Sequence, residues 1–117
     1  MILFNFNVIA RDGAELGARL PDPDGMYLWR TLHEASVGRV GLVVTGEVSN
    51  TDILETWLKI NGAKAVMYDV LGTTEPKVCA EKIARIISAS GGRSMYLDID
   101  PATVSETFAM GIPSMLV

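Results

Sequence analysis

The chain has 117 residues, 49% of them hydrophobic and 21% charged, with a formal net charge of −4. A chain of this length is expected to form a single domain spanning residues 1–117, burying roughly 60–70% of its unfolded surface, so its core needs no disulfide or structural metal. The lone Cys79 excludes an intrachain disulfide framework and a paired-cysteine zinc site, and ten basic residues against fourteen acidic ones, without a basic cluster, argue against nucleic acid as the main partner.

Ile2 to Ile9 opens the chain as a predicted strand; its apolar start lacks a basic flank and is interrupted by Asn5 and Asn7. No run approaches the roughly 18 apolar residues of a membrane span, so the expectation is a soluble, cytoplasmic protein with no membrane partner. Residues 10–25, with Gly13, Gly17, Pro21, Pro23 and Gly25, read as a loop or small irregular excursion whose Asp-Pro-Asp-Gly end enters a helix. From Met26 to Ala35 the pairs Leu28–Trp29 and Leu32–His33 recur at helical spacing, and Gly38 stops the helix. Val40 to Val44 is a continuous apolar run of the kind buried on both faces of a parallel sheet. Asn50 or Thr51 then caps a helix with Ile53, Leu54, Trp57 and Leu58 along one stripe, ended by Asn61-Gly62.

The second half repeats the alternation. Ala65 to Val70 reads as a strand. Glu75 and Pro76 open a helix with a buried stripe of Cys79, Ile83, Ile86 and Ile87, while Glu81, Lys82 and Arg85 face water; Gly91-Gly92 ends it. Met95 to Ile99 is a fourth strand, Pro101 to Met110 a short helix, and Ser114 to Val117 a fifth strand. The pattern βαβαβαβαβ predicts an α/β protein with a three-layer, open parallel sheet of about five strands, Rossmann-like in build. Ligands of such sheets bind beyond the carboxyl ends of the strands.

Those ends carry Asn5 and Asn7 on the first strand, Thr45-Gly46 after the second, Lys77 after the third, and Asp98 and Asp100 on the fourth. This order resembles the haloacid dehalogenase superfamily, whose motifs are a first-strand Asp-x-Asp, a Ser or Thr after the second strand, a Lys near the next helix and an acidic motif after the fourth. Asn5-Phe6-Asn7 lies over the first motif with both aspartates replaced, Leu42-Val43-Val44-Thr45-Gly46 over the second, Glu75-Pro76-Lys77 over the lysine, and Tyr96-Leu97-Asp98-Ile99-Asp100-Pro101 with Gly111-Ile112-Pro113 over the last. The resemblance covers nearly the whole chain and implies a small member without a large cap.

In that family the first Asp attacks phosphorus and the second is the general acid and base. A neutral carboxamide performs neither task, because it forms no stable acyl-phosphate and does not titrate near neutrality. Asn5 and Asn7 are thus degenerate equivalents of the catalytic pair, and no competent catalytic residue is expected. Counted back from Gly111, the family's acidic positions fall on Ile99 and Thr103, leaving Asp98 and Asp100 one step to either side as candidate metal ligands; a strand of period two would aim both the same way. Thr45, Gly46 and Lys77 are the candidate ligand-binding residues.

Each of these has a structural reading as well: hydrogen-bonding asparagines, a turn threonine, a solvated lysine, an aspartate N-cap. His33 reads as a packed or surface residue, Trp29 and Trp57 as core, and Cys79 as inert. The resulting expectation is a catalytically degenerate binding module of haloacid-dehalogenase type, with no cofactor, a protein partner or self-association, and a homo-oligomer. Two alternatives stand beside it. One is a weak phosphohydrolase in which Asp98 and Asp100 recruit Mg2+ and a metal-bound water. The other is a phosphate or nucleotide sensor using Thr45, Gly46 and Lys77.

Overall fold

Five short runs pair into one sheet whose three central strands are largely buried on both faces, and amphipathic helices cover both its sides. The computed structural model describes residues 1–11, 13 and 15–117. In chain order the elements are β1 (Ile2–Asn5), α1 (Phe6–Ile9), a 3-10 turn (Leu16–Ala18), α2 (Pro23–Ala35), β2 (Val40–Val44), α3 (Thr51–Ile60), β3 (Tyr68–Val70), α4 (Pro76–Ser90), β4 (Met95–Asp98), α5 (Pro101–Ala109) and β5 (Ser114–Leu116). The sheet order is β3-β2-β1-β4-β5 and every neighbouring pair is parallel. This is the open three-layer α/β architecture expected from the alternation of elements. Among the described residues no helix is long and apolar enough to cross a membrane.

The period-two alternation of the strands sorts their side chains into two cores. Phe4, Leu42 and Leu97 face Met26 and Trp29 of α2 and Leu54, Trp57 and Leu58 of α3. Leu3, Val43 and Tyr96 face Cys79 and Ile83 of α4 together with Ile112. Both tryptophans are core residues: Trp29 packs edge-on against Phe4 with ring centroids 5.1 Å apart, and Trp57 against Phe6 at 4.8 Å.

Several boundaries differ from the sequence expectation. The first strand ends at Asn5 rather than running to Ile9, because Asn5 turns the chain: its side-chain carbonyl accepts from the Asn7 backbone N–H at 2.9 Å and caps α1. Alternating apolar residues hid this turn, since Phe6, Val8 and Ile9 are buried in either conformation. Helix α2 begins at Pro23, three residues earlier than its periodicity suggests, with Asp22 capping the Gly25 N–H at 2.8 Å. A Cβ on Gly25 would lie 1.8 Å from the Val8 carbonyl oxygen, so glycine is what lets α2 rest on α1. The expected loop at 10–25 is tied across its base by an Ala10–Pro21 bridge; its positions 12 and 14 lie outside the described residues.

In the second half, β3 is confined to Tyr68–Val70, β4 stops at Asp98, α5 at Ala109 and β5 at Leu116. Two facing assignments also change. Ile53 is exposed on α3, although it neighbours the buried stripe. Lys82 does not simply face water: its ammonium donates to the Leu71 carbonyl at 2.6 Å, lying along α4 to reach the end of β3.

Truncation of either tryptophan removes an aromatic wedge between sheet and helix. Trp29→Ala and Trp57→Ala are each expected to lose roughly 3–5 kcal/mol of stability in urea denaturation. Near-neutral behaviour of both would contradict this packing of α2 and α3.

Candidate functional site

Helices that follow β1 and β2 lie on one face of the sheet, and those that follow β3 and β4 lie on the other. The strand order therefore reverses direction between β1 and β4, and a crevice at that point is where open α/β sheets place their ligands. The pairing of Phe4 with Leu97 sets Asn5 beside Asp98 at this junction.

Asp98 is fully buried, and three donors hold it. Tyr96 Oη donates to Oδ2 at 2.5 Å, Asn5 Nδ2 donates to the same oxygen at 3.2 Å, and the Asp100 backbone N–H donates to Oδ1 at 3.0 Å. Asn5 Nδ2 also lies 3.3 Å from Tyr96 Oη, closing a triangle of three buried side chains. The orientation of the Asn5 amide follows from its neighbours. The Asn7 N–H can only donate, so the atom facing it is the amide oxygen and the NH2 must face Asp98.

Burial pushes the Asp98 carboxyl above its ordinary value, against the lowering effect of the Tyr96 hydroxyl and the backbone N–H groups of Asp100 and Ile99. Tyr96 is raised by burial and then by the adjacent Asp98 charge, so its phenol remains a donor. Cys79, on the same side of the sheet, donates its thiol to the Thr73 carbonyl at 3.3 Å; burial, followed by the Asp98 charge, raises its pKa. It stays a protonated thiol, in keeping with an inert role.

The remaining candidates do not converge on this triangle. Asp100 turns away from Asp98 because β4 has ended; it caps α5 through Ala102 N–H at 3.2 Å and accepts from the Thr103 hydroxyl at 2.7 Å. The two carboxylates therefore do not share a strand face as period two suggested. Asn7 is held by Arg19, whose Nη1 donates to its side-chain oxygen at 2.6 Å, and its NH2 reaches Thr45 Oγ1 at 3.5 Å. Gly46 has φ +84°, donates its N–H to the Thr73 carbonyl and accepts from the Gly72 N–H. It joins two loops, and its N–H is already used. Lys77 is exposed on the first turn of α4. His33 is half-buried on α2, packed beside Gly38.

Magnesium, which the resemblance implies, can be tested against this donor set. A hard cation requires oxygen ligands with free lone pairs. Here the group opposite Asp98 is an amide NH2, a donor that offers a cation no lone pair, Oδ2 already accepts two hydrogen bonds, and Asp100 is turned into the α5 cap. These residues do not fit the ion. They fit a buried carboxyl group held by protein donors, whose burial disfavours its charge.

Tyr96 and Arg19 are the site residues that sequence reasoning missed. Tyr96 was legible, since it stands two positions before Asp98 and so shares its face. Arg19 was not, because its place depends on the loop: its backbone carbonyl accepts from Trp57 Nε1 at 2.7 Å, and its guanidinium lies 5.6 Å from the centre of the Phe6 ring. No protein-family model matches the chain, and no curated protein is significantly similar to it.

Replacing Asn5 by Asp sets a second carboxylate against Asp98 and removes a donor to it. Asn5→Asp is expected to cost at least roughly 2 kcal/mol near neutral pH, and less in acid, where one of the pair takes a proton. The pH dependence of Asp98 itself has a definite sign. A carboxyl raised in the folded state contributes stability that is fully present below its unfolded value, near 3.8, and is lost as pH rises through the folded value. In urea titrations from acid to neutral pH, the native protein should therefore lose stability relative to Asp98→Asn as pH rises. An unchanging difference would show that Asp98 is not buried as a charge.

Proposed function

We propose that this protein is a catalytically silent module of haloacid-dehalogenase type that works by binding, with its strand-end site turned into an internal lock. The carrying observation is the Asn5 amide donating to Asp98 at the β1–β4 junction. The strands that the resemblance aligns with its first and last motifs are neighbours there, and Asn5, in the place the resemblance gives the nucleophile, is a neutral donor to Asp98 rather than to the aligned Ile99. A phosphoryl acceptor must present an ionised oxygen to phosphorus. Asn5 instead presents its oxygen to a backbone N–H and its nitrogen to a carboxylate.

The residue types at the β1–β4 junction support binding rather than turnover, since the Asn5 and Asn7 carboxamides neither gain nor lose a proton near neutrality. The phosphate-sensor alternative draws support from Arg19 and Thr45 flanking Asn7, and is weakened by the engaged N–H of Gly46 and the outward position of Lys77.

Two measurements test the lock. The melting temperature of the native protein should be the same with and without millimolar magnesium, and purified protein should hydrolyse no phosphate monoester above a buffer blank. Magnesium-dependent hydrolysis that survives stringent purification and disappears in Asp98→Asn would reject the proposal in favour of a metal-dependent phosphohydrolase.

A further inference from the structure

We infer that the β5 edge of the sheet is a self-association surface, at which a second copy of this chain pairs antiparallel with β5 across a two-fold axis through Met115. This deepens the binding reading above by naming its partner, and rests on it. Strand β5 is the outer strand of the sheet and pairs with β4 alone. The Pro113 carbonyl accepts from Tyr96 N–H and Val117 N–H donates to the Asp98 carbonyl, so these residues direct their backbone groups inward. Alternation then directs the N–H and C=O groups of Ser114 and Leu116 outward, where no strand of the described residues meets them.

Those outward groups stand symmetrically about Met115. A two-fold axis there sets Ser114 of one copy against Leu116 of the other, each pair exchanging two hydrogen bonds, with Met115 opposite its own equivalent.

Side chains around this edge agree. The Thr107 and Ser114 hydroxyls lie 2.7 Å apart, so Ser114 faces α5; Leu116 shares that face and Met115 takes the other. Met115, Leu116 and Val117 are each about half exposed. Their apolar surface and the strand backbone make a small contact, below the ~600 Å² per partner of standard specific interfaces, so the pairing belongs to the weak, concentration-dependent class.

Charge points the same way. Residues 107–117 carry no charged side chain in a protein of net charge −4, so no like-charged side chains of this segment oppose one another across the axis. The opposite edge is different: β3 carries the exposed Asp69 at its centre, a charge of the sort that discourages edge pairing. Pro113, the residue of this segment without an N–H, faces β4 with its carbonyl and leaves the outer edge intact.

The test uses the intact chain in two ways. Light scattering after size exclusion should give a concentration-dependent dimer, and Met115→Lys, which sets two ammonium groups face to face, should weaken it at least about tenfold while circular dichroism and dilute melting stay unchanged. Independently, Met115→Cys should form an intermolecular disulfide under mild oxidation, because facing residues at a non-hydrogen-bonded position lie about 4.5 Å apart at Cα, within disulfide reach. The native Cys79 is buried and does not interfere, and Asp69→Cys on the opposite edge should not cross-link. A protein that stays monomeric at its highest soluble concentration overturns the inference. So does a dimer indifferent to Met115→Lys that fails to cross-link through Met115→Cys. Either result leaves the internal lock standing or falling on the magnesium measurement alone.

Discussion

A carboxylate without access to water must be satisfied by protein donors or give up its charge. Asp98 sits under that constraint at the carboxyl end of β4, and the surrounding structure answers it. Tyr96 reaches up from the same strand, Asn5 reaches across from β1, and the chain turns at Asp100 to offer a backbone N–H. Two of these three residues are also used elsewhere. Asn5 caps α1 with its oxygen, and Asp100 caps α5 with its carboxylate. The lock that satisfies Asp98 therefore also sets where β1 stops and where α5 starts.

The same constraint bears on chemistry. Asn5 presents a hydrogen-bond donor to the buried carboxylate, where a second carboxylate would repel Asp98 unless a cation lay between them. An asparagine at position 5 thus gives a strand-end junction whose polar groups are paired within the protein.

Around this junction both faces of the sheet are occupied by helices near its centre, and the long β1 and β2 side chains are buried. The open sheet ends in two short edge strands: β3 carries the exposed Asp69 at its centre, and β5 carries no charged side chain between Met115 on one face and Leu116 on the other.

Sequence by itself determined the class of fold. Alternating apolar runs and amphipathic stretches, the Asn50 and Asp100 caps, and the Gly38 and Gly91-Gly92 stops are local signals whose physical cause lies within a few residues, and they placed β2, α3, α4 and α5 to within a residue. The first strand was overrun because a buried single-turn helix and a buried strand share the same hydrophobic residues. The candidate site was legible only as a set of types: Asn5, Asn7, Thr45, Asp98 and Asp100 all lie near strand ends, as read. Which of them touch was decided by tertiary structure. The β1–β4 register brings Asn5 to Asp98, the loop carries Arg19 to Asn7, and the end of β4 turns Asp100 into a cap. Such contacts join positions as far apart as 5 and 98, and local periodicity carries no information across that separation.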